Sequence, residues 1–360
     1  MESNKEANQL PNVRILIEGM KGHNYALPDC IKFIFERIGD YEQLNFWDIA
    51  AVTGDTVAQV YNTNNTTSCE YCVSGYLAGR EYVSSVFDAF GYACEYVTAE
   101  QLNADKARYM RETVDYIDKA LPVLVVTNLN DIPEWKSDVG THCLVVGYKN
   151  SGQTLRLLVG GETIIDYHLS NANKLDLVFI GEKQRDVSLE EVYLNAIKKM
   201  PHWLTLPERN GMYFGAAAYR KWAEDIESGR FEDENLLMWE NYGVYVCNLA
   251  TSGGEPTFIF GKLADINPQY AELAEVGKKI QELLPAETPI GGRSLLWIQL
   301  EELGGGMDRG GGMDKKTFTV TMQDKEKRSK VAAALRDYAR RLDQALALLK
   351  DGLEKLENNN

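Results

Sequence analysis

The sequence predicts an α+β fold in two parts. Helices followed by an antiparallel sheet occupy residues 1–185, and a mostly helical part occupies 186–360. Three observations predict this. Ile31, Ile34, Phe35 and Ile38 repeat at helical spacing. From Val123 the pattern shortens into apolar runs at 123–126, 142–148 and 154–159. The last two flank Asn150-Ser151-Gly152, a hairpin signal. From Ser188 onward helical spacing returns and persists to the end of the chain.

In chain order, residues 13–17 read as a first strand. Residues 24–29 are a polar approach to a helix that Cys30 opens, with Asp29 as a candidate N-cap, and Gly39 ends that helix. The Asn, Thr and Ser run at 62–68 reads as a loop. Val83, Val86, Phe87 and Phe90 give a second helical face, closed by Gly91. Thr98-Ala-Glu-Gln101 is a capping box that starts a helix reaching about Ala120. Residues 175–180 are the last strand of the first part. Ser188-Leu-Glu-Glu191 is a second capping box, and 211–226 reads as an Ala-rich helix containing Trp222. Val331, Leu335, Tyr338, Leu342, Leu346, Leu349 and Leu353 form one stripe of a long amphipathic helix. Such a stripe serves a partner or its own domain, and the second reading is preferred. Gly304-Gly-Gly-Met-Asp308 recurs as Gly310-Gly-Gly-Met-Asp314, which reads as a mobile loop. It lacks the strand and lysine of a phosphate-binding loop, so no nucleotide role is assigned.

Composition narrows the function classes. The chain has 360 residues, 44% of them hydrophobic, enough for a substantial core. Lys+Arg is 38 and Asp+Glu is 53, so the net charge is −15. That balance argues against nucleic acid and against an anionic membrane surface. No apolar stretch approaches the ~20 residues that cross a bilayer, and residues 1–12 carry no apolar leader. A cytoplasmic location is expected. Six cysteines in 360 residues are too few for a disulfide scaffold, so free thiols are expected. Cys69-Glu-Tyr-Cys72 is a lone CxxC, for which two unrelated thiols is the preferred reading over zinc. No metal and no organic cofactor are called for.

The chemistry rests on Cys30 and His142. A thiol at a helix start has its pKa lowered by unpaired N–H groups and the helix dipole. A histidine at a strand mouth can face a cleft while the rest of the strand is buried. The competing readings are a small core cysteine and a structural histidine. Asn24, six residues before Cys30, is a candidate oxyanion donor beside the Cys30 backbone N–H. His23 is a weaker one. A base histidine needs an acceptor that fixes its tautomer. Residues 154–161 supply none, and Asp166 is the nearest later carboxylate, with Asn150 and Asn173 behind it.

Four stretches carry a family resemblance. They are Cys30-Ile-Lys-Phe-Ile-Phe-Glu-Arg-Ile-Gly39, Phe46-Trp-Asp-Ile-Ala-Ala-Val-Thr-Gly54, Ala89-Phe-Gly-Tyr92 and His142-Cys-Leu-Val-Val-Gly-Tyr148. In this order they resemble a bacterial group of papain-like proteins. That group is related to the N-terminal domain of the butirosin-biosynthesis acyltransferase and, more distantly, to bacteriocin-processing cysteine peptidases. Gly215-Ala-Ala-Ala-Tyr-Arg-Lys-Trp222 looks like the helical extension such proteins carry. The resemblance implies a papain-like fold over 1–185, with Cys30 as nucleophile and His142 as base. In the peptidase relatives an Asp-Pro ends the strand after the histidine strand, whereas Gly160-Gly161 stands there in this chain.

The expected function is a thiol-dependent acyl transferase, or an amidase or peptidase-like hydrolase, acting on a thioester or amide. The substrate would be a small molecule or peptide, with a carrier-protein thioester as one form of acyl donor. The alternative is a catalytically inactive papain-like module that binds a peptide or small molecule.

Overall fold

The computed structural model describes residues 5–15, 25–64, 72–77, 79–127, 132, 141–170, 173–233, 242–251, 257–287 and 293–359. In chain order these form β1 (Asn8–Gln9), α1 (Ala26–Ile38), α2 (Phe46–Thr53), β2 (Val60–Asn62), α3 (Val73–Leu77), α4 (Arg80–Asp88), β3 (Tyr92–Val97), α5 (Ala99–Ala104), α6 (Lys106–Asp118), β4 (Val123–Val126), β5 (His142–Lys149), β6 (Thr154–Gly160), β7 (Thr163–His168) and β8 (Asp176–Lys183). Then follow α7 (Leu189–Leu204), β9 (Met212–Phe214), α8 (Gly215–Glu227), α9 (Val244–Thr251), α10 (Phe258–Ile266), α11 (Ala271–Leu283), α12 (Leu295–Glu302), α13 (Lys315–Gln323) and α14 (Lys325–Asn359). The architecture is α+β, with an antiparallel sheet and a helical C-terminal region. Among the described residues no helix is long and apolar enough to cross a membrane.

The chain divides into two units, Met1–Thr53 with Ser74–Val187, and Gly54–Val73 with Ser188–Asn360. The sequence places the boundary at 185/186; the second unit also takes in Gly54–Val73. Those residues join it because β2 pairs with β9, Tyr61 opposite Tyr213. Tyr61 also stacks on the fully buried Trp222.

In the first unit the sheet runs β3-β8-β4-β5-β6-β7, all neighbours antiparallel. Strand β4 is apolar without interruption, and the middle of β5 and β6 is largely so, because helices cover both faces. Val123, Leu124, Val125, Leu144, Val145, Leu157 and Leu158 are all fully buried. The hairpin 142–160 turns through Asn150 and Ser151 at φ 51° and 54°, as the Asn-Ser-Gly signal predicts.

Four element expectations need correction. The strand expected at 13–17 is replaced by the shorter β1, which pairs with Tyr148 and Gly147 of β5. Only Ile15 of that stretch bridges, to Gly161, and residues 16 and 17 lie outside the described residues. Glycine at 147 permits this pairing, since a Cβ there would lie 2.7 Å from the Asn8 carbonyl oxygen. The helix expected from 98 to about 120 is two helices, broken at Asp105 (φ −137°, ψ 61°). The Asp105 side chain competes with the continuing helix by accepting the Arg108 N–H at 3.2 Å. Strand β7 was not foreseen, because its half-buried residues mix polar and apolar types. Residues 212–214 form β9, so α8 begins at Gly215 rather than at 211.

In the second unit α14 lays its apolar stripe on α8, α11, α12 and α13. Val331 and Leu335 are fully buried, and Tyr338 and Leu349 nearly so. The glycine repeat between α12 and α13 is a packed turn. Met307 is fully buried, and the Asp308 carboxylate accepts the Gly310 and Gly312 N–H groups at 2.8 and 2.7 Å.

Candidate functional site

Helix α1 carries Cys30. Its apolar residues fall at Ala26, Leu27, Ile31, Ile34 and Phe35, all buried, and Gly39 caps it in the left-handed region (φ 76°) with its N–H on Phe35 O. The helix begins earlier than the sequence suggests. Tyr25 is the N-cap and makes no side-chain cap bond, while Asp29 sits inside the first turn, buried. Cys30 is therefore the fifth helical residue. In a regular helix starting at Ala26 its N–H is spent on the Ala26 carbonyl. That removes the Cys30 N–H as an oxyanion donor. It also weakens the dipole argument, since that field fades beyond the first turn.

His142 opens β5, opposite Val126 of β4, which in turn lies opposite Asp176 of β8. Directly paired residues share a sheet face. His142, Leu144, Leu124, Val178 and Tyr96 thus point one way, and Cys143, Val125, Leu177 and Phe179 the other. Helix α6 covers the second face, where its Tyr116 ring meets Phe179 at 5.0 Å. Helix α4 covers the first, where Ser84 meets Cys94 at 3.5 Å. Helix α1 packs on α2 and on β5. The Thr53 carbonyl at the end of α2 accepts the Tyr82 hydroxyl of α4 at 2.8 Å. Helices α1, α2 and α4 therefore make one layer on the His142 side of the sheet. Cys30 and His142 belong to facing elements of one unit, and both are fully buried.

The third position is where this chain departs from a carboxylate-assisted site. The pairing of β5 with β6 ends at Leu144–Leu158, and β6 closes with Val159 and Gly160, without a carboxylate. Instead, the Thr141 hydroxyl lies 3.0 Å from His142 Nδ1. This partner was missed in the sequence, although a hydroxyl immediately before a histidine is within reach of its ring. Thr141 is itself fixed through its carbonyl, which accepts the Thr127 N–H at 2.9 Å.

Asp166 is corrected as an orienting residue. It sits on β7 opposite Arg156, two strands over from β5 and roughly 16 Å from His142 by strand geometry. It is bound by Lys149 at 2.5 Å and Arg156 at 3.5 Å. The Lys149 hydrogen bond holds its carboxyl below the usual range. Asn150 sits in the hairpin turn, and buried Asn173 is tied to Asn103 and Ser170. Asn24, His23 and Cys69 lie outside the described residues.

Cys143 adjoins His142 in sequence but faces α6. Burial pushes its thiol pKa far up, so it is a core thiol. No protein-family model matches the chain, and the search of curated proteins finds no relative.

Proposed function

We propose that the first unit is a papain-like domain that performs thiol-dependent acyl transfer or amide hydrolysis, with Cys30 as nucleophile and His142 as base. The observation that carries this reading is the placement of α1 against β5 on the sheet face to which His142 projects. With Nδ1 against Thr141, the base nitrogen is Nε2. It takes the Cys30 proton as sulfur attacks the carbonyl carbon of a thioester or amide. The tetrahedral oxyanion collapses and expels the thiol or amine, to which His142 returns the proton. The acyl-enzyme passes its acyl group to an amine or to water. Asn24 is retained as the proposed oxyanion donor. The neutral Thr141 hydroxyl orients the imidazole but stabilises the imidazolium less than a carboxylate does, so turnover is expected to be slow.

A catalytically inactive papain-like binding module for a peptide or small molecule is the second reading. The lack of a carboxylate at the end of β6 and the complete burial of Cys30 and His142 favour it. Incubation with acetyl-thioester and p-nitrophenyl acetate, followed by peptide mass spectrometry, separates the two. The enzyme reading predicts one acetyl group on the peptide containing Cys30, absent from Cys30→Ser and strongly reduced in His142→Ala. Acetylation spread over surface lysines, equal in all three proteins, favours the binding module.

A further inference from the structure

The second unit contains a cavity of about 50 Å³ that no part of the proposed chemistry uses. Its walls are mainly apolar, among them Met200, Phe260, Ile280 and Leu349, all buried. About 10–15 Å³ of such space holds one water, so this volume admits a small organic molecule. Two polar side chains line it from the segment 54–73. Thr56 is 1% exposed and Gln59 is 3% exposed. The Gln59 amide nitrogen donates to the Asp55 carbonyl at 3.1 Å. Because that carbonyl can only accept, the amide orientation is fixed and Oε1 is the atom left over. Gln59 Oε1 and Thr56 Oγ1 are both buried without a hydrogen-bond partner. Buried polar atoms in folded proteins are nearly always paired. Two orphans on the wall of one apolar cavity mark a place built for a hydrogen-bonding guest.

We infer that this cavity binds a small apolar molecule ending in a single hydrogen-bond donor, such as a phenol or a short alcohol. The guest's O–H or N–H donates to Gln59 Oε1, and its heteroatom accepts from the Thr56 hydroxyl. Its hydrocarbon part lies against α7, α10, α11 and α14. The half-buried Leu204 and Leu342 also line the cavity. The inference is independent of Cys30 and His142, which lie in the other unit.

Phenol and toluene test it, because they match in size and differ in the donor. Calorimetric titration of the full chain is expected to show saturable 1:1 phenol binding, with toluene weaker by roughly fivefold to tenfold, the scale of one uncharged hydrogen bond. Gln59→Leu should erase or reverse that preference while leaving toluene binding intact. Ala345→Leu, which grows a side chain into the cavity from α14, should abolish binding of both without lowering the melting temperature. Three results would each overturn the inference: no saturable binding of either probe, an equal preference in the wild type and Gln59→Leu, or phenol binding unaffected by Ala345→Leu. Ordered water alone on both orphan atoms, in crystals grown with phenol, would likewise do so.

Discussion

Asp225 is held by three donors at once: the Tyr61 hydroxyl at 2.7 Å, Arg230 at 2.5 Å and Lys221 at 2.9 Å. Burial alone pushes its carboxyl pKa up, but the hydrogen bonds from Lys221, Tyr61 and Arg230 outweigh it and hold it below the usual aspartate range. A carboxylate whose folded pKa is depressed stabilises the fold above its unfolded value, near ~3.9. That contribution is lost as pH falls through the folded value. Asp225→Ala is expected to cost roughly 3 kcal/mol at neutral pH, because it also strands a half-buried arginine. Urea unfolding should show the gap between variant and wild type narrowing toward pH 3. At Thr141, replacement by Val removes the hydroxyl from Nδ1 and should slow Cys30 alkylation several-fold with no loss of stability. Cys30 and His142 stand out in the sequence because reactive side chains at element boundaries break an apolar pattern. Thr141 does not stand out, because its role depends on a ring 3.0 Å away that periodicity cannot express.

At the scale of elements, what the sequence shows is set by where the free energy comes from. Helix α1, the 142–160 hairpin and α14 are written in apolar spacing, and each folds as that spacing predicts. The beginning of α1 was not legible. Its first turn, Ala26-Leu-Pro-Asp29, is held by tertiary burial rather than by a capping side chain. Strand β1 was not legible either. Its two polar residues carry no pattern, and the determinant is a glycine on another strand. Gly147→Val is therefore expected to push β1 off β5, where Leu10 N–H now meets the Val146 carbonyl at 2.8 Å. Hydrogen exchange should show Leu10 losing protection while β4 and β6 keep theirs. The expected cost is about 1–3 kcal/mol, the range for inserting bulk into a packed site.

For the whole molecule, the division into a sheet-containing unit and a helical unit was legible from the change of period near 188. The recruitment of Gly54–Val73 into the helical unit was not, because a three-residue register between β2 and β9 leaves no local signature. Leu335→Ala tests the independence of the two cores. The side chain, on the apolar stripe of α14, is fully buried, so the loss should be about 2–5 kcal/mol. Exchange protection should fall in α8 and α11 and hold in β5; a loss of equal size in both units would show a single shared core. The most direct test of the functional account is the rate of Cys30 alkylation by iodoacetamide as a function of pH. An activated pair predicts half-maximal reactivity well below the ~8.5 of an ordinary thiol, and a shift to that value in His142→Ala. A Cys30 that reacts only through the ordinary thiol range, or identically in wild type and His142→Ala, would contradict it.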